Sequence, residues 1–113
     1  MDKQERTLIH ETPQRAGERV RLLGWVNMRR DHGKILFLDL RDRTGVVQVV
    51  VIPDHEEAYE AARAAKNECV IEVFGTVKVR PGGAARIGIL GGIEIEADSI
   101  SIISSPRIRF RLK

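Results

Sequence analysis

One cysteine, no apolar run of membrane-spanning length and three scattered histidines narrow the reading of these 113 residues before any motif is considered. The lone Cys69 lies in an apolar strand-like segment. It excludes an internal disulfide, weakly favours an intracellular setting and suits a small core residue better than a nucleophile. The polar amino end, MDKQERTLIHETPQRAGE, carries no secretory signal, so a soluble, cytoplasmic chain without a membrane partner is expected. His10, His32 and His55 fall in different segments without ligand spacing, which argues against a metal site or a general base. No Gly-x-Gly-x-x-Gly opens a helix and no Gly-Lys-Ser/Thr occurs, so the glycine-rich stretch PGGAARIGILGG is not a nucleotide cradle and no cofactor is expected.

What is present is concentrated in Gly24 to Val51, GWVNMRRDHGKILFLDLRDRTGVVQVVV. Three strand-like segments are joined by turn signals at His32-Gly33 and Asp42-Arg43-Thr44-Gly45. Alternation places Leu36, Leu38 and Leu40 on one face and Ile35, Phe37 and Asp39 on the other. The next segment divides into Val47, Val49 and Val51 against Val46, Gln48 and Val50. A hairpin closed by Asp42 to Gly45 would put Asp39 beside Gln48 and Phe37 beside Val50, with Phe37 and Gln48 as diagonal neighbours. An aromatic ring and an amide on one face, near Arg29, Arg30, Lys34, Arg41 and Arg43, suit an unpaired nucleic-acid strand: charges for phosphates, a ring for stacking, an amide for a base edge. The alternative from phase alone is that Phe37 packs beneath a loop and Gln48 fills a solvated position.

The length fits one domain, and a net charge of +3 agrees with nucleic-acid binding without requiring it. Residues 1–18 read as an irregular or short helical lead-in with Pro13 and Gly17 as breakers. A long first strand follows from about Arg19 to Arg30, bending at Gly24. After Ile52-Pro53, Asp54 is the expected N-cap of a helix of about three turns, with Ala58, Ala61, Ala62 and Ala65 as its apolar face. A fourth strand is expected from Cys69 to Arg80, and a fifth with Ile93, Ile95 and Ala97 inward against Glu94, Glu96 and Asp98. Three strands, a helix and two strands make an all-β fold, the five-stranded Greek-key OB barrel with one α-helix between strands 3 and 4. Its binding face centres on strands 2 and 3 and the 1–2 and 4–5 loops. The domain is expected over 19–103, with 104–113 as a basic tail or truncated hinge.

The Gly-Trp-Val, Arg-Arg-Asp-x-Gly, Phe-x-Asp-Leu-Arg-Asp and Gly-x-Val-Gln elements of that central stretch resemble the amino-terminal anticodon-binding domain of bacterial-type aspartyl-tRNA synthetase. The likeness extends through ERTLIHETPQRAGERV, NECVIEVFGTV and GGIEIEADSISII, covering most of residues 5–103. It implies a domain that grips the anticodon loop of aspartate tRNA. By resemblance Phe37 would stack on the middle base, a uridine, and Gln48 would bond at the middle or third position. Arg30 would contact the same bases or adjoining backbone, and Glu94 the first or second base. Lys78 and Arg80 would hold phosphate or help read the first base. Arg41 and Asp42, beside the hairpin turn, suit structural bonds at least as well as RNA contact. The isolated domain is expected to be monomeric and non-catalytic, although the parent family consists of ATP-dependent ligases.

The 4–5 loop, Gly82 to Gly92, departs from the family's polar pattern, and the tail from Arg107 to Lys113 departs from its usual hinge. Exposed Ile87, Ile89 and Leu90 would make loop 81–92 a protein-contact surface. Two further functions therefore stand beside the first: a protein-binding module on a natural or engineered OB scaffold, and a general single-strand binder.

Overall fold

The computed structural model describes residues 4–80 and 90–104. A 3-10 helix, Ile9–Arg15, precedes strands β1 (Arg19–His32), β2 (Ile35–Asp42) and β3 (Gly45–Val51). The α-helix α1 (Glu56–Ala64) then leads to β4 (Val70–Val79) and β5 (Ile93–Ser104). The strands close into a barrel in the order β1-β2-β3-β5-β4. β3 and β5 run parallel through Val49–Ile95 and Val50–Glu96, and the other pairs are antiparallel. This is the five-stranded OB architecture expected from the element order. Expectations for residues 1–3, for 81–89, including Ile87 and Ile89, and for the tail from 105 onward lie outside the described residues.

The alternating patterns supply the core. Val20, Leu22 and Val26 of β1 meet Leu36, Leu38 and Leu40 of β2 and Val47, Val49 and Val51 of β3. Ile71, Val73 and Val77 of β4 and Ile93, Ile95 and Ala97 of β5 complete the interior, all buried. β1 pairs with β4 over Arg19–Trp25 and with β2 from Trp25 onward, so Trp25 is the residue at which it changes partner. At Gly24 a Cβ would collide with the Arg41 carbonyl oxygen, so only glycine permits this approach of β1 to β2. The lead-in joins β1 where β2 is absent: the Thr7 N–H donates to the Arg21 carbonyl at 2.8 Å. It then delivers Ile9, fully buried, into the core.

Three local expectations are corrected. Pro13 lies within the 3-10 helix instead of ending it; the chain turns at Gly17, whose φ of +86° suits glycine. α1 begins at Glu56 with His55 as its N-cap and no side-chain cap, not with Asp54 capping. The cause is a turn after β3: the His55 N–H donates to the Ile52 carbonyl at 3.2 Å, placing Asp54 inside the turn, one residue too early. Leu90 is half-buried against the core, not exposed, and its N–H donates to the Val46 carbonyl at 2.9 Å.

Asp42 ties the lead-in to the β2–β3 hairpin. Its Oδ1 accepts from the Thr44 N–H (2.7 Å) and hydroxyl (2.6 Å), and its Oδ2 accepts from the Ile9 N–H (2.9 Å). Burial pushes the carboxyl pKa up. The Thr44 and Ile9 bonds, with Arg6 nearby, outweigh that and hold it below the usual carboxylate value. A carboxylate depressed on folding stabilises above its unfolded pKa of about 3.9, and that stabilisation is lost as pH falls through the lower folded value. Asp42→Ala should therefore cost about 1–3 kcal/mol near neutral pH, by stranding two backbone donors, and should flatten the loss of stability below pH 4. Urea unfolding at pH 7 and pH 3 checks both.

Candidate nucleic-acid interface

The β2–β3 hairpin has the register expected from phase. Asp39 faces Gln48 and Phe37 faces Val50, because Asp42 and Gly45 pair directly across a two-residue turn. These four residues share the outer surface of the barrel. Val46 and Val50 are nonetheless buried, as are Asp39 and Gln48, so this face is covered at its centre and open around the half-buried Phe37.

A bulge in β1 brings Arg30 to the same surface. Strict alternation would put Arg30 in phase with the inward Val20, Leu22 and Val26. Instead Val26 pairs with Leu40 while Met28 pairs with Asp39, leaving Asn27 as an extra residue. Beyond it the phase is reversed, and Arg30 stands opposite Phe37. Its Nη2 lies 3.1 Å from both Asp39 Oδ1 and Gln48 Oε1, and its guanidinium carbon is 5.5 Å from the Phe37 ring centre. Arg29 is turned the other way: its Nη1 donates to the Arg63 carbonyl at 2.6 Å and also reaches those of Ala62 and Ala65, capping the end of α1.

From Gln48 the network crosses to β5. Gln48 Nε2 donates to Glu94 Oε1 at 3.3 Å, and Arg80 Nε stands 3.4 Å from the same oxygen. With a cation on one side and a carboxylate on the other, the amide has one sensible orientation, oxygen towards Arg30 and nitrogen towards Glu94. Arg80 also closes the base of the 4–5 loop, its N–H donating to the Gly92 carbonyl at 2.8 Å. Five of the six residues singled out from the sequence thus form one connected set. The sixth, Lys78, faces Glu94 in register but reaches Glu96, at 3.5 Å.

Two members were not singled out from the sequence. Asp39, almost fully buried, anchors Arg30, and a charged residue following the apolar run Ile35–Leu38 in the outward phase was its available signal. His32 meets Phe37 edge to face at 6.2 Å between ring centres. Arg30 Nε is buried without a hydrogen-bond partner, the kind of uncompensated donor that calls for a functional explanation.

A family model described as an OB-fold nucleic acid binding domain, of the tRNA anticodon type, matches residues 20–103. The chain belongs to this family. Among similar solved structures is the asparaginyl-tRNA synthetase of Pyrococcus horikoshii complexed with asparaginyl-adenylate. It is 33% identical with a TM-score of 0.76, over 90% of this chain and 23% of that one. The aspartyl-tRNA synthetase of Entamoeba histolytica is 23% identical with a TM-score of 0.80, over 92% of this chain and 22% of that one. An OBody bound to hen egg-white lysozyme is 24% identical with a TM-score of 0.75, over 94% of this chain and 100% of that one. The last two likenesses establish the fold alone. The chain spans less than a quarter of the length of either synthetase. Among the described residues no helix is long and apolar enough to cross a membrane, and no group of three or more His, Cys, Asp or Glu could hold a metal ion.

Within this OB domain the Arg30–Asp39 pair should act as a unit. Arg30→Met leaves the buried Asp39 carboxylate without that cation and should cost about 1–3 kcal/mol of stability. Adding Asp39→Leu should recover part of the loss. Denaturant unfolding of both singles and the double measures the coupling, and strict additivity would contradict it.

Proposed function

We infer that this chain is the anticodon-binding part of an aminoacyl-tRNA synthetase and grips the anticodon loop of aspartate tRNA, its bases splayed out. The observation that carries the reading is the joined set of Phe37, Arg30, Gln48, Glu94 and Arg80 on the outer face of an OB barrel. In this proposal the half-buried ring of Phe37 stacks on the middle base, a uridine. Gln48, its amide oriented by Arg30 and Glu94, bonds at the middle or third base, and Arg30 adds a charged donor there or to the adjoining backbone. Glu94 addresses the first or second base, while Lys78 and Arg80 serve phosphate or the first base from the mouth of the 4–5 loop. The chain contributes recognition, and aminoacyl transfer belongs to the remainder of such an enzyme.

Aspartate and asparagine anticodons share their first two bases and differ at the third. The 33% identity to an asparaginyl enzyme makes asparagine tRNA the specific alternative. The sequence elements around Trp25-Val26-Asn27 and Leu40-Arg41-Asp42-Arg43 favour aspartate. Stem-loops differing only at the third anticodon base separate the two: tighter binding of the aspartate loop supports the proposal, and tighter binding of the asparagine loop overturns its choice of tRNA.

Phe37→Ala should weaken stem-loop binding by about 1–3 kcal/mol, the range for loss of one base–aromatic stack. Fluorescence anisotropy of labelled RNA with a folded variant checks this, and unchanged affinity removes Phe37 from the site.

A further inference from the structure

The recognition network is electrically balanced, which leaves open what holds the RNA backbone. Arg30 is matched by Asp39, Arg80 by Glu94 and Lys78 by Glu96. Among the described residues, Arg41, near the end of β2, and Arg43, in the turn that follows it, are exposed and make no ion pair. Arg41 is on the same outer face as Phe37, four residues along the strand, hence about 13 Å away.

Directly opposite Arg41 stands Trp25, the sole tryptophan of the chain. It is half-buried and lines an open cleft of about 270 Å³. Leu23, Gly24 and Val70 line the rest of it, together with Arg6, Asp42 and Arg43. The Asp42 carboxylate is engaged by Thr44, Ile9 and Arg6. The cleft exists because β1 changes partner at Trp25: β2 ends at Asp42 and the lead-in begins beside Arg21, leaving the backbone between them uncovered. Arg6 is held in place by the Leu23 carbonyl at 3.0 Å and lies 3.8 Å from Asp42. Arg43 has no such restraint.

We propose that this cleft is a second nucleotide subsite, taking the base of a nucleotide that flanks the one stacked on Phe37. Its phosphate is held by Arg41 and Arg43. An indole and two aliphatic side chains offer a flat apolar surface of the size a base requires, and the surrounding guanidiniums select an anionic polymer over a neutral peptide. Continuity with the Phe37 face supplies the direction: the strand runs from the Arg30–Phe37 row past Met28 and Asp39 to the Trp25–Arg41 row. This subsite rests on the anticodon reading for the identity of the strand, not for its own geometry.

The position of Trp25 makes the test direct, because intrinsic emission reports on the cleft alone. Anticodon stem-loop RNA is titrated into the chain while anisotropy of a labelled loop follows total binding. Saturable quenching of Trp25 in step with binding is the expected result. Arg41→Ala/Arg43→Ala, at two exposed positions, should weaken binding and reduce the slope of log K against log salt by about 0.7, the value for one phosphate no longer neutralised. Phe37→Ala should weaken binding yet leave the quench at saturation intact. Bound RNA with unaltered Trp25 emission, or an unchanged salt slope in the double variant, overturns the subsite while leaving the anticodon reading standing. Quenching that survives Phe37→Ala with no loss of affinity overturns the anticodon reading and keeps the subsite. A chain that fails to bind the stem-loop overturns both.

Discussion

The bulge between Val26 and Met28 decides which of two adjacent arginines reaches the binding face, and the remaining polar arrangement depends on that choice. With Asn27 as the extra residue, Arg30 turns outward onto Phe37, Asp39 and Gln48, while Arg29 turns beneath the barrel to cap α1. Without it the two would exchange faces: Arg29 would stand opposite Phe37 and Arg30 would turn inward, so the contacts Arg30 makes with Asp39 and Gln48 and the cap Arg29 places on α1 would both be reassigned. One inserted residue therefore couples closure of the barrel end to assembly of the site, which is how bulges re-aim side chains elsewhere.

The network that follows is a device for orientation more than for attraction. Its charges alternate, from Arg30 to Asp39 and from Glu94 to Arg80, with the Gln48 amide suspended between the two pairs. Pre-set donors and acceptors cost little further ordering when a base arrives, so discrimination rests on fit. In the proposed reading, attraction for phosphate rests largely on cations without carboxylate partners; among the described residues these include Lys34 in the β1–β2 turn, Arg41 near the end of β2 and Arg43 in the turn that follows it. A recognition centre that is neutral and flanked by unpaired cations separates reading from holding, as in many nucleic-acid interfaces.

Much of this was legible in the sequence where a short-range rule governs it. The two-residue turn after Asp42 sets the β2–β3 register, so the pairing of Phe37 with Val50 and of Asp39 with Gln48 follows from alternation alone. The barrel order follows from three strands, a helix and two strands. Legibility ended where long-range geometry took over. Alternation sends Arg30 inward and only the bulge reverses it. Asp54 carries a capping side chain, but the turn after β3 displaces the helix start. Leu90 looks like a solvent-facing loop residue until its backbone bonds to Val46. The cleft at Trp25 arises from a change of strand partner, which has no local sequence signature.

The central claim is that the outer face of β2 and β3, oriented by Arg30, reads the middle anticodon base. A double-mutant cycle between Phe37 and that base tests it most directly: native chain and Phe37→Ala are each measured against a stem-loop with the middle uridine and one with an abasic site there. A coupling of about 1 kcal/mol or more is predicted, with the abasic loop nearly insensitive to loss of the ring. Additive effects, with no coupling between ring and base, would contradict the account.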